Sequence, residues 1–304
     1  MAQSATLVER RGWHKHVLLS PPLLFFAGFT LFPLGYTIYV SLSNWSITGA
    51  HSFVGLDNYV RILGSNTFRQ SYLNTIVFAV VTVLLQYLLG LAMAVLVYRS
   101  TFGQSVLRLL FLVPMMFTPV VVGFVWKTMF DPSYGPISFF MDRLGLPAVP
   151  WFSEKLPAMT TIVIADVWQW TPFMFLILFA ALRSLPTAPL EAAMVDGASG
   201  WRLFFDHLWP MLLPASVTAI LLRSIEAFKL FDVVYLTTGG GPGVQTATVT
   251  LSAYFTGIRS GDLGTAAAMT VVLLVTVLIS TTILLRILAW ASARRSRRDL
   301  GEAA

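Results

Sequence analysis

The chain has 304 residues, 56% of them apolar and only 11% charged, with a mean hydropathy of +0.75. A soluble globular domain carries about 25% charged residues, so the composition excludes a soluble enzyme. The net charge of +6, from 20 basic and 14 acidic residues, reads as topogenic in a membrane chain, and no basic stripe interleaved with aromatics points to nucleic acid.

The absence of cysteine removes disulfides, thiolate nucleophiles and cysteine metal sites. Six apolar runs are long and uncharged enough to select helices over the alternating strands of a barrel. Arg10 and Arg11 lie in an N-terminal tail, residues 1–16, ahead of the first run. That run is too long for a signal-peptide core and no small-residue cleavage site follows it, so it is read as a retained helix at 17–43. Further spans are predicted at 71–98, 105–130, 156–182, 210–235 and 264–290. Six spans of about 22 residues place roughly 130 residues in the bilayer and leave roughly 170 for loops, none long enough for a sizeable soluble domain. The expected organisation is a membrane domain at 17–291, with a cytoplasmic loop at 184–209, then a basic tail at 292–304.

Prolines lie in or at the ends of four spans: Pro21, Pro22 and Pro33, then Pro114 and Pro119, then Pro172, then Pro210 and Pro214. Each frees a carbonyl and can kink its helix, so neighbouring helices must compensate. On the second span Gln86 and Asn74 are read as interhelical hydrogen-bonding amides. On the fourth, Asp166, Gln169 and Trp170 share one face at i, i+3 and i+4. Asp166 lies near mid-membrane, roughly 15 Å in at 1.5 Å per residue. Arg223, Glu226 and Lys229 recur every three residues on the fifth span, and ionisable groups at such depth are functional candidates. Pairing Glu226 with Arg223 or Lys229, and Asp166 with a base across the bundle, would neutralise their cost and line a wet cavity. Carboxylates and amides suit sugar hydroxyls, and an aromatic face suits the C–H side of a ring. Salt bridges that only hold helices together, or contacts with a second membrane subunit, are the other readings of these residues.

Basic residues set the orientation. Arg10, Arg11, Lys15, Arg99, Arg108, Arg183, Arg202, Arg294, Arg295, Arg297 and Arg298 fall on one side, against Arg61, Arg69, Arg143, Lys155 and Arg259 on the other. The excess places both termini in the cytoplasm. Trp13, Trp45, Trp151 and Trp290 sit at span ends as an interfacial belt.

The loop between the fourth and fifth spans carries the sharpest signal. Thr187 is placed as a helix N-cap, with Pro189 in the first turn and Glu191 favoured by the helix dipole. Ala192 and Ala193 form a small face, Gly197 or Gly200 supplies a positive φ, and Ser199 caps the next helix. Such a helix could enter a groove on a partner or lie on the membrane surface as a connector.

Glu191, Ala192 and Ala193, then Asp196, Gly197 and Ala198, then Phe204, Pro210 and Pro214, with their spacing, resemble the EAA loop of binding-protein-dependent ABC importer permeases. Gly239, Gly240, Gly241 and Pro242 after the fifth span, and Asp262, Leu263 and Gly264 ahead of the last, are similar to the carbohydrate-uptake branch, the maltose-type inner-membrane permeases. Asp206, His207 and Pro189 depart from the common pattern of that loop.

The resemblance implies an all-α membrane protein, a six-helix transmembrane bundle of the type I ABC importer permease kind in the bacterial inner membrane. It implies that the loop inserts into a cleft of an ATPase subunit and that the fourth and fifth spans line a sugar site. It implies as partners two ABC ATPase subunits, a second, different permease, an extracytoplasmic substrate-binding protein and membrane lipid. No phosphate-cradling Gly-x-x-x-x-Gly-Lys-Ser/Thr occurs. ATP and magnesium are therefore expected on the partner ATPases, with no cofactor and no catalytic residue on this chain. His14, His16, His51 and His207 lack metal-ligand spacing. A permease for a non-sugar solute, or an ion-coupled secondary transporter using Asp166 and Glu226, are the rival functions, although the matched broken segments of an inverted repeat are missing.

Overall fold

The computed structural model describes residues 18–49, 51–100 and 103–301, with side chains as far as Ile287. Arg10, Arg11, Trp13, Lys15, His14, His16 and the predicted start at residue 17 lie outside the described residues, as do the side chains of Trp290, Arg294, Arg295, Arg297 and Arg298. Among the described residues, five helices are long and apolar enough to cross a membrane, and one bent pair makes a sixth span.

Two compact units divide the chain. The first runs up to Gly64 and takes in Ala253–Val271. It holds α1 (Leu18–Ser41), with a π-helical turn at Ala27–Leu31, a two-residue hairpin of β1 (Ser43–Asn44) and β2 (Ser52–Phe53), and α2 (Asp57–Gly64). Asn58, buried, donates to the carbonyls of Ser41 and Ser43, both at 2.9 Å, and so fastens α2 beneath the end of α1. Arg61 reaches Asp262 at 3.5 Å.

The second unit, Ser65–Ser252 with the chain from Val272 onward, carries the loop and every intramembrane candidate. Its frame is α3 (Asn66–Arg99) packed along α7 (Lys155–Ser184). Gly90 sets their closest approach: a Cβ there would meet Met174 Cβ at 2.6 Å and the Phe175 nitrogen at 2.9 Å. Between them stand the bent pair α4 (Gln104–Met116) and α5 (Pro119–Met129), then α6 (Pro136–Arg143). After α7 come the loop helix α8 (Ala188–Val195), α9 (Gly200–Ala227), α10 (Asp232–Thr237), α11 (Val249–Tyr254) and α12 (Leu263–Gly301).

Two predicted spans need correction. The third is not one helix: α4 and α5 meet at 93°. Pro119 disfavours a helical residue before it, and Thr118 is extended at φ −68°, ψ 147°, which turns the chain. The fifth begins ten residues earlier than predicted, at Gly200, and stops at Ala227 rather than 235. Beyond that end the Leu230 carbonyl accepts the hydroxyls of Thr248 and Thr250, a tertiary capture that replaces a helical hydrogen bond.

Candidate coupling loop and intramembrane polar centre

The loop helix α8 is built asymmetrically. Leu190 and Ala193 are buried, whereas Glu191, Ala192, Met194 and Val195 face outward. Leu190 joins a core with Leu91, Ala94 and Val97 of α3, Phe175, Leu178, Phe179 and Leu182 of α7, and Leu208 and Leu212 of α9. The predicted small face is therefore split: adjacent helical residues point about 100° apart, so Ala193 turns in and Ala192 out. Thr187 starts the helix through its carbonyl, which accepts from Leu190 and Glu191 at 2.9 Å, and its hydroxyl makes no cap. Pro189 removes one of the amides a cap would bind, and Thr187 is itself already helical at φ −79°, ψ −30°.

Gly197 ends the helix at φ +85° and Gly200 bends the chain again at φ +54°, so both glycines take the left-handed conformation. Asp196 and Gly197 are exposed and Ala198 is half-buried. Ser199 holds the cap position of α9 by its carbonyl, which accepts from Arg202 at 3.1 Å, and not by its hydroxyl. Phe204 is half-buried against Phe205 and Trp201, and Pro210 lies in the first turn after the π-helical stretch Leu203–Leu208. Val195 is 88% and Trp201 77% exposed. The loop is thus anchored by leucines inside and carries exposed apolar side chains outside.

Three helices meet at a buried polar centre. Asp166 of α7 pairs with Arg223 of α9, each side chain at most 2% exposed. Arg223 Nε donates to Gln86 Oε1 at 2.8 Å, and Gln86 Nε2 donates back to Asp166 Oδ2 at 2.8 Å and to the Asp166 carbonyl at 3.1 Å. The Arg223 guanidinium also lies over the half-buried Trp170 ring, 5.2 Å from its centroid. Gln169 is buried and donates to the carbonyl of Phe117, freed where α4 breaks from α5, while its own Oε1 has no protein partner. Removing one member of a buried ion pair leaves an uncompensated charge and costs about 3–5 kcal/mol.

Glu226 and Lys229 behave differently. They pair with each other at 2.6 Å, each 53% exposed, and Lys229 lies beyond the end of α9. Of the pairings the sequence allows, the structure takes Asp166 with Arg223 and Glu226 with Lys229. The six intramembrane candidates thus separate into Asp166, Arg223, Gln169 and Trp170 at the centre and Glu226 with Lys229 at the helix end.

Two residues carry more than sequence reasoning assigned them. Gln86 makes the interhelical hydrogen bonds expected of it, and they join both members of the buried ion pair. Asn74 holds the glycine-rich turn that follows α10, donating to the carbonyls of Gln245 and Ala247 at 2.8 and 3.0 Å. A signal existed for the first: Ser71, Thr75, Thr82 and Gln86, all buried, fall on one face of a helix at i, i+4, i+11 and i+15.

Helices of this length around a buried polar centre, with an exposed loop between two of them, define a polytopic membrane subunit. Residues 86–296 match the family described as "Binding-protein-dependent transport system inner membrane component", and the chain belongs to that family. It is a multi-pass inner-membrane permease with the type I fold. It is 35% identical over 285 residues to the trehalose/maltose transport system permease protein MalF of Thermococcus litoralis, covering 93% of this chain and 94% of that one. It is 32% identical over 259 residues to the trehalose transport system permease protein SugA of Mycobacterium tuberculosis, covering 84% and 82%. A crystal structure of a bacterial ABC transporter involved in the import of the acidic polysaccharide alginate shares the fold, with a TM-score of 0.80 at 18% identity, covering 94% of this chain and 99% of that one.

Proposed function

We infer that the chain is a transmembrane subunit of an ATP-driven importer for a carbohydrate: a sugar, an oligosaccharide or a polyol. The observation that carries this is the built asymmetry of α8, whose Leu190 is locked in the core of α3, α7 and α9 while Val195 and Trp201 stand open. ATPase subunits dock on that open face, and their ATP-driven closure moves the helices to which Leu190 is fastened. Substrate passes inward by alternating access. ATP and magnesium reside on those ATPases, with none bound to this chain. A second, different permease completes the pathway, an extracytoplasmic binding protein delivers the substrate, and both termini lie in the cytoplasm.

The carbohydrate assignment is supported by relatives named for trehalose, maltose and sn-glycerol-3-phosphate, at 31–35% identity over most of the chain. Residues in reach of a permeating sugar are the half-buried Trp170 and the exposed Glu226 and Lys229, while Gln169 is buried with its Oε1 unpartnered. Asp166 and Arg223 belong to the substrate site through Trp170, whose ring Arg223 covers. The test is to purify the tagged chain with its co-purifying subunits, reconstitute it in bilayer discs with its binding protein, and measure ATP hydrolysis over sugars, polyols, amino acids and phosphate. Stimulation by a carbohydrate is the expected result. Stimulation by an amino acid or phosphate alone would assign another solute, and a preparation free of ATPase would remove the coupling role of the loop.

A further inference from the structure

Resting on that reading, we propose that Gln86, Asp166 and Arg223 form a positioning clamp that carries movement of the cytoplasmic loop to the level of Trp170. The loop is flanked by α7 on one side and α9 on the other, and the clamp joins these same two helices, with α3 as the third party. At the cytoplasmic end the connection is apolar, through Leu190 packed with Leu182, Leu208 and Leu212. Arg223 lies fourteen residues beyond Trp209, roughly 21 Å along the helix at 1.5 Å per residue. It is one turn short of the end of α9 at Ala227. The helix is therefore fixed near both ends to the same neighbours, so a push on the loop arrives at Arg223 as a displacement of the whole helix.

The choice of chemistry supports this role. Apolar packing in a bilayer competes with lipid tails of the same character, whereas a buried ion pair braced by an amide is directional and holds its helices in one register. Arg223 and Asp166 are both buried and pair through Asp166 Oδ2, which Gln86 also reaches, while Asp166 Oδ1 has no hydrogen-bond partner; their contribution to substrate passes through the ring of Trp170. Pro172 of α7 and Pro214 of α9 both lie on the loop side of the clamp, where each helix lacks a hydrogen bond. Without the clamp the two helices could absorb the loop's movement by bending there separately.

The experiment measures substrate transported per ATP hydrolysed, and the substrate concentration giving half-maximal uptake, in proteoliposomes of the full complex. The double variant Asp166→Leu with Arg223→Met removes both charges together, and Gln86→Met removes three hydrogen bonds without touching the charges. The clamp predicts that transport per ATP falls about tenfold in the double variant and less in Gln86→Met, with half-saturation unchanged in Gln86→Met. Should the double variant fail to assemble, Gln86→Met decides alone. An unchanged ratio in an assembled variant overturns the clamp, as does a shift in half-saturation with the ratio preserved, which would make these residues direct substrate ligands. If the wild-type complex itself shows no carbohydrate-dependent ATP hydrolysis, the importer reading fails before the clamp is tested.

Discussion

Two ion pairs involve residues at or just beyond the C-terminal end of α9, and their surroundings give them opposite characters. Arg223 with Asp166 is enclosed by three helices and an amide; Glu226 with Lys229, one turn further on, is half exposed and joins neighbours in sequence. The enclosed pair ties together segments 57 residues apart, and each charge depends wholly on the other. The open pair closes a loop of three residues and has water as an alternative partner, so its net worth is small. The same residue types therefore build a structural joint at one level and an adaptable polar surface at the next.

The contrast is broken most sharply by Arg223→Ala, which leaves Asp166 charged and unpaired. The expected loss is about 3–5 kcal/mol, read as little assembled complex extracted from membranes, and near-normal yield would contradict an enclosed pair. Gly90→Val attacks the same joint from the packing side, since a Cβ at that position meets Met174 Cβ at 2.6 Å. Spreading α3 from α7 should cost about 1–3 kcal/mol and lower the thermal midpoint of the purified complex. Charge-neutral Glu226→Gln should change stability by no more than about 0.5 kcal/mol while shifting the substrate concentration for half-maximal uptake; an unchanged concentration would take the outer pair off the path. Salt gives the smallest effect. Raising ionic strength should erase any stability difference between Glu226→Gln and wild type and leave that of Arg223→Ala intact, because screening reaches exposed charges far more than buried ones.

How far the sequence reaches follows the range of each interaction. Spans two and four, and the start of span six, lie within a few residues of where hydropathy placed them, because each is decided by its own composition. Pro119 announced a break in span three but not the 93° turn, since a proline removes a hydrogen bond without dictating direction. The end of span five depends on Thr248 and Thr250 reaching Leu230 from eighteen and twenty residues away, which no local pattern records. In the loop, glycine geometry at 197 and 200 was legible, whereas the cap at Thr187 failed because Pro189 withholds an amide. That Asp166 needed a base was evident from burial in lipid. Selecting Arg223 over Lys229, and adding Gln86, required the crossing of three helices.

The central claim is that the residues from Ala188 to Gly200 convert ATP hydrolysis into movement of this chain, and Gly197 offers the cleanest handle on it. Its φ of +85° disfavours any side chain, yet nothing lies within 4 Å of where a Cβ would stand, so the change is confined to the loop surface. The decisive measurement is ATP-dependent uptake of labelled carbohydrate into proteoliposomes holding the wild-type or the Gly197→Asp complex at equal membrane content. The account predicts uptake by the wild type and none by the variant, with the variant chain still in the membrane. Undiminished uptake by Gly197→Asp would contradict it.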